Sequence, residues 1–227
     1  MISEERQHGH SSFCARRGWD SIDEPLVARQ PSTSSTASLT ALALTSKLLA
    51  PAHIDFAHAS RYFRRTPHGA YTNSDIDYIV QYYLAACRPV GLDPLVCFSQ
   101  IQIETGHLTS YWAARPRCNP AGIGVTGETN PDGTPKGISF GRWGWDSESV
   151  GGGSIRAHVG RLLLYAIQVG HGTPAQNVLM TEAKRWRPYP DDRRGKVTTV
   201  GGLAGTWAAD SQYGNKLVAA SRAIVAA

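Results

Sequence analysis

Apolar residues recur at helical spacing over several stretches of the chain. Ile76, Ile79, Val80, Tyr83, Leu84 and Cys87 lie three and four apart, which predicts an amphipathic helix with one inward face. Ser74 with Asp75 and Asp77 supplies an N-cap and an acidic first turn; Pro89 and Gly91 end the helix. Asp93-Pro94 starts a second helix, a capping Asp with Pro at the first position. It carries Leu95, Cys97, Phe98 and Ile101, and Gly106 stops it. Ile155, Val159, Leu162, Leu163 and Ala166 predict a third, strongly amphipathic helix. Weaker helical signals follow over 174–184, around Leu203–Ala208, and over 211–226 with Leu217, Ala220 and Ile224.

Between the second and third helices the rhythm breaks. Residues 115–145 are rich in Gly and Pro, and two short strands are expected at 122–126 and 137–143. The turn-rich Gly-Glu-Thr-Asn-Pro-Asp-Gly-Thr-Pro joins them into a hairpin. At the other end, Pro-Ser-Thr-Ser-Ser-Thr-Ala-Ser has linker composition, so residues 1–44 read as a flexible or loosely docked leader ahead of one domain, 45–227. The expected class is α+β: a mostly helical body with one small β-hairpin lobe.

Composition narrows this picture. Among 227 residues, 41% are apolar and 18% charged, enough for a sizeable core and against full-length disorder. No apolar run reaches the ~18 residues that span a bilayer. The opening Met-Ile-Ser-Glu-Glu-Arg is acidic where a secretory signal is basic. Lys and Arg total 23 against 18 Asp and Glu, and the net +5 favours an anionic partner such as nucleic acid, a membrane surface or cell wall. The basic residues are scattered, so a nucleic-acid binder is disfavoured. Cys14, Cys87, Cys97 and Cys118 show no two- or three-residue spacing, which argues against a zinc ribbon and a thioredoxin-type pair. Cys87 and Cys97 flank the turn between two helices and fit either a bridge or two buried thiols.

One carboxylate stands out. Glu104 ends the apolar stretch Leu-Val-Cys-Phe-Ser-Gln-Ile-Gln-Ile and, at about 100° per residue, falls near Cys97 and Ile101 on the inward face. It also sits in the last helical turn, where exposed carbonyls carry negative partial charge. Burial and that dipole end both disfavour the ionised form, and a carboxyl kept protonated suits protonation of a glycosidic oxygen. A Glu paired with an Arg, or turned to solvent, is the plain alternative. Aromatic residues accompany it: Tyr111, Trp112, Trp143, Trp145, Trp186, Tyr189, Trp207 and Tyr213. Such rings suit sugar faces and cores alike; Trp112 and Trp145, in polar loops beside the hairpin, lean towards ligand contact.

Other chemistries find less support. Gly122, Gly124 and Gly127 match G-x-G-x-x-G, but no helix opens at the third Gly, so hairpin turns explain them. Gly151–Gly153 read as a loose turn before a helix capped by Ser154. The eight histidines contain no H-x-x-x-H or H-E-x-x-H, and no metal or other cofactor is expected. His107 is three residues past Glu104, either beside it or on the surface. No nucleophile elbow marks a Ser or Cys hydrolase.

The order of motifs carries a resemblance. Gln-Ile-Glu104-Thr-Gly-His is followed by Asn119-Pro-Ala-Gly-Ile-Gly-Val-Thr-Gly, a strand around Phe140, Ser-Ile-Arg-Ala-His-Val-Gly-Arg-Leu-Leu, and Trp207-Ala-Ala-Asp-Ser-Gln-Tyr213-Gly-Asn-Lys-Leu. Over roughly residues 45–227 this series resembles the bacterial and phage glucosaminidase family, autolysin-type endo-β-N-acetylglucosaminidases that cut peptidoglycan. The resemblance implies a lysozyme-like fold with a groove between helical body and hairpin. It implies Glu104 as general acid and Tyr213 as an active-site tyrosine, with Ala208 and Asp210 in the same closing motif. Asn119, Gly122 and Ile123 would lie at the base of the hairpin, and Tyr111, Trp112, Phe140 and Trp145 would contact sugar. Ala121, Gly124, Ala209 and Ser211 depart from the family pattern, and the hairpin lacks its usual Glu. Glu128 and Asp132 are the nearest second carboxylates, each equally readable as a solvated turn residue. The implied protein is a monomer acting on glycan strands of the wall, outside the cell or as a phage endolysin, without nucleic acid or membrane span. A muramidase or lytic transglycosylase on the same fold, and a non-catalytic wall-binding or phage structural module, are the alternatives.

Overall fold

A computed structural model describes residues 39–141 and 153–227 of the chain. Most of residues 1–44, and Trp143 and Trp145, lie outside the described residues. Six α-helices occupy the described residues: α1 Phe56–Arg65, α2 Asn73–Cys87, α3 Pro94–Thr105, α4 Ser154–Ala166, α5 Pro174–Trp186 and α6 Tyr213–Val225. Short 3₁₀ turns stand at Arg88–Val90, Asp191–Arg193 and Gly201–Leu203. The protein is mostly helical. Among the described residues no helix is long and apolar enough to cross a membrane.

The helix boundaries follow local chemistry. α2 begins one residue before Ser74, because Thr72 is the N-cap and forms a reciprocal capping box with Asp75. Asp93 caps α3 through Leu95 N–H, Pro94 fills the first turn, and Gly106 ends it in the left-handed conformation at φ 53°. α5 has its own capping box, Thr173 with Gln176. Gly153, rather than Ser154, is the N-cap of α4. The helical signal around Leu203–Ala208 becomes the Gly201–Leu203 turn and a tight loop closed by Gly205 N–H on Ala208 C=O.

α3 is the central element. Nine of its residues are buried, from Pro94 through Ile101 and again at Thr105, so it is buried on nearly every side, with polar Ser99, Gln100 and Thr105 among them. α6 packs along one flank of it and α2 along another; α4 lies on α2 and runs closely along α5, and α1 touches α2 and α6. Gly160 makes the α4–α5 approach possible, since a β-carbon there would stand 2.0 Å from the Leu179 carbonyl oxygen. Arg156 and Glu182 clamp the same pair of helices with two 2.6 Å hydrogen bonds. The chain joins the core before residue 45: Leu42 is buried, and its N–H donates to Ser221 Oγ on α6.

The loop region differs from expectation. Residues 122–126 and 137–141 form no regular strand; 142 and 143 lie outside the described residues. A single antiparallel bridge, Thr129 with Pro135, closes the turn. Gly122, Gly124 and Gly127 all take positive φ, which interrupts extended backbone where the first strand was expected. Instead, Asn119 organises the loop. Its buried amide donates to Ile123 C=O and Ile138 C=O, and its oxygen accepts from Ile123 N–H. Ala121, Ile123, Phe140 and Ala157 make a small second core, on which Trp186 and Trp207 rest.

Cys87 and Cys97 are buried thiols 3.9 Å apart, and among the described residues neither they nor the buried Cys118 form a disulfide.

Candidate active site

The carboxyl of Glu104 lies where three segments meet. α3 delivers it from its last turn, α6 delivers Tyr213 as its first residue, and the loop after Gly201–Leu203 delivers Trp207. Tyr213 O–H donates to Glu104 Oε1 at 2.5 Å, and Trp207 Nε1–H donates to the same oxygen at 3.0 Å. Among the described residues Oε2 has no hydrogen-bond partner; it faces Gly122, where a β-carbon would stand 3.6 Å away. Because Oε1 already accepts two donors, an acid proton belongs on Oε2, which has no partner among the described residues.

Burial pushes the Glu104 pKa above the ordinary carboxyl range, and the Tyr213 and Trp207 hydrogen bonds, which favour the anion, offset only part of this. No ion pair opposes that shift; among the described residues no Arg, Lys or His is bonded to the carboxyl. Burial, then the Glu104 carboxyl beside it, raises the Tyr213 phenol far above its usual value, so it acts as a fixed donor.

Each partner is held by its own local structure. Asp210 accepts from Gln212 N–H, its carbonyl accepts from Tyr213 N–H, and its carboxylate pairs with Lys216, so Asp210 sets the start of α6 from a half-exposed position. Trp207 N–H bonds to Leu203 C=O, and Tyr165 O–H holds Thr206 C=O next door.

The remaining sequence candidates fall into three groups. Asn119, Ile123 and Phe140 are buried and build the loop; Phe140 packs on Trp186 with centroids 4.5 Å apart and the rings tilted by 54°. Trp112 covers Gly137, where a β-carbon would meet the indole at 2.5 Å, and its neighbour Tyr111 is exposed beneath the Arg117 guanidinium, 3.6 Å from the ring centre. Glu128 and Asp132 are solvated turn residues: Glu128 pairs with Lys136, Asp132 binds Thr134, and these contacts hold both carboxyls below their usual values. Neither is bonded to Glu104. His107 is bonded to Tyr62 instead, its Nε2 2.9 Å from the Tyr62 hydroxyl.

Three residues that sequence reasoning did not place in the site stand around it. Trp207 was one ring among eight, and nothing in its spacing marked it as a donor to Glu104. Gln100 and His158 are fully buried polar residues on apolar helices, a pattern that signals a satisfied internal network without naming its members. Among the described residues no group of three or more His, Cys, Asp or Glu side chains is placed to hold a metal ion. Comparison with protein-family models, curated proteins and solved structures gives no match.

Proposed function

We propose that the protein is a peptidoglycan-cleaving glycosidase of lysozyme-like type, in which Glu104 is the general acid for a β-1,4 bond between N-acetylglucosamine and N-acetylmuramic acid. The observation that carries the reading is the Glu104 carboxyl itself: half-buried, disposed to stay protonated, one oxygen fixed by two donors and the other without a partner among the described residues. Oε2 gives its proton to the leaving glycosidic oxygen as the C1–O bond breaks and positive charge grows at C1.

Among the described residues Glu128 and Asp132 are ion-paired or hydrogen-bonded in solvent, so a mechanism that needs one protein carboxyl suits the described site. The substrate's own N-acetyl oxygen closes on C1, water then opens that ring, and the water's proton returns to Glu104. This step requires an amino sugar, which a wall glycan supplies. The net positive charge assists adsorption to an anionic wall. Glu104 as the one carboxyl of the site among the described residues favours one further reading, a lytic transglycosylase: the C6 hydroxyl of N-acetylmuramic acid attacks C1 and its proton passes to Glu104.

Mass spectrometry of fragments released from purified walls tests this. Reducing N-acetylglucosamine ends support the proposal, reducing N-acetylmuramic acid ends identify a muramidase, and anhydro ends a transglycosylase. No released fragment from the folded protein overturns the reading.

A further inference from the structure

Behind Tyr213 the hydrogen bonds continue into the core. Gln100 Nε2–H donates to the Tyr213 oxygen at 3.0 Å. Gln100 Oε1 lies 2.9 Å from His158 Nε2, and His158 Nδ1 lies 2.9 Å from Tyr83 O–H. The directions are forced. Tyr213 has one proton and places it on Glu104, so it accepts from Gln100; that orients the amide, and Oε1 must accept. His158 therefore carries its proton on Nε2, and Nδ1 accepts from Tyr83. Burial keeps this imidazole neutral, with its pKa pushed down to about 3. Every donor in the series Tyr83, His158, Gln100, Tyr213 points towards Glu104.

His158 supports the second donor as well. Its ring packs on Trp207 with centroids 5.6 Å apart, and Trp207 is the other group bonded to Oε1. Tyr83, Gln100 and His158 are fully buried, and the titratable groups next to Tyr83 are the thiols of Cys87 and Cys97. A hydrogen bond in such a series polarises the next, so each distal donor strengthens the one before it.

We propose that Gln100, His158 and Tyr83 are positioning residues that act through Tyr213 and Trp207 to fix the Glu104 carboxyl and set how readily it holds its proton. This deepens the glycosidase reading and rests on it only for its catalytic meaning. The physical statement is measurable without substrate.

The test is a ¹³C-carboxyl NMR titration of the full chain, with the Glu104 resonance assigned by its loss in Glu104→Gln. Tyr213→Phe gives the reference, an upward move of the midpoint as the anion loses a donor. Gln100→Leu is expected to move it upward in part, Tyr83→Phe upward by less, and His158→Leu upward where His158→Gln, which keeps an N–H for Gln100, restores it. Tyr83→Phe changes shape least and decides the matter if a larger change prevents folding. A midpoint that moves in Tyr213→Phe but in no folded Gln100, His158 or Tyr83 variant overturns the proposal even where walls are cleaved; a midpoint moved by these variants without cleavage upholds it and removes the glycosidase reading instead.

Discussion

Glu104 Oε2 lies 3.6 Å from the point where a β-carbon of residue 122 would stand, and Gly122 holds a φ of +59°. The glycine therefore leaves room at the Glu104 oxygen that has no hydrogen-bond partner among the described residues. Gly122→Ala is expected to cost about 1 kcal/mol through the left-handed backbone, and to dehydrate the carboxyl further. Gly127 offers the control: its φ is +77° and nothing lies within 4 Å of its would-be β-carbon. Wall lysis should fall in Gly122→Ala and stay near wild type in Gly127→Ala, with similar losses of stability by chemical denaturation.

Much of the framework could be read from residue order. Asp93-Pro94 and Gly106 bracket α3 because capping and left-handed termination are local events. α1 was overlooked, although Asp55 at its cap and Ala59, Tyr62 and Phe63 at helical spacing carry the signal; its closing Arg64 and Arg65 obscure the apolar stripe. The expected strands failed for a local reason too, the positive φ of three glycines, while Asn119 took over the pairing of loop backbone. Glu104 and Tyr213 were singled out and are in contact. Gln100, His158 and Trp207 were not, because a buried polar side chain finds its partner only when α3, α4 and α6 have packed.

The α4–α5 interface should tolerate no added carbon at residue 160. A β-carbon there would overlap the Leu179 backbone oxygen, which cannot swing aside as a side chain can. Gly160→Ala is expected to destabilise the protein by about 1–3 kcal/mol or more despite its better helix propensity, as read by the urea midpoint. An exposed helical glycine would show the opposite sign.

His158 predicts a definite acid limb of stability. Its folded pKa, about 3, lies below the ordinary 6.5, so the unfolded chain takes up the proton first. The stability tied to the neutral ring is complete above pH 6.5 and is lost as pH falls towards 3. Between pH 7 and pH 4 this one group removes about 3 kcal/mol. Denaturation of His158→Gln over the same range should show a correspondingly flatter pH dependence.

Glu104 works in the opposite direction. Its raised pKa means that the folded state holds the proton more tightly than the unfolded chain. That contribution is present below the ordinary carboxyl pKa and is lost as pH rises through the folded value. Glu104→Gln, which cannot ionise, should therefore gain in Tm relative to wild type as pH rises, with the gap levelling off above the folded midpoint.

The proposal that Glu104 supplies the proton for glycan cleavage comes down to one comparison: a renaturing gel with purified bacterial walls embedded in it, loaded with wild type and Glu104→Gln. The account predicts a clear band from wild type and none from the variant, whose melting temperature at neutral pH is equal or higher. Equal clearing by the two proteins would contradict it.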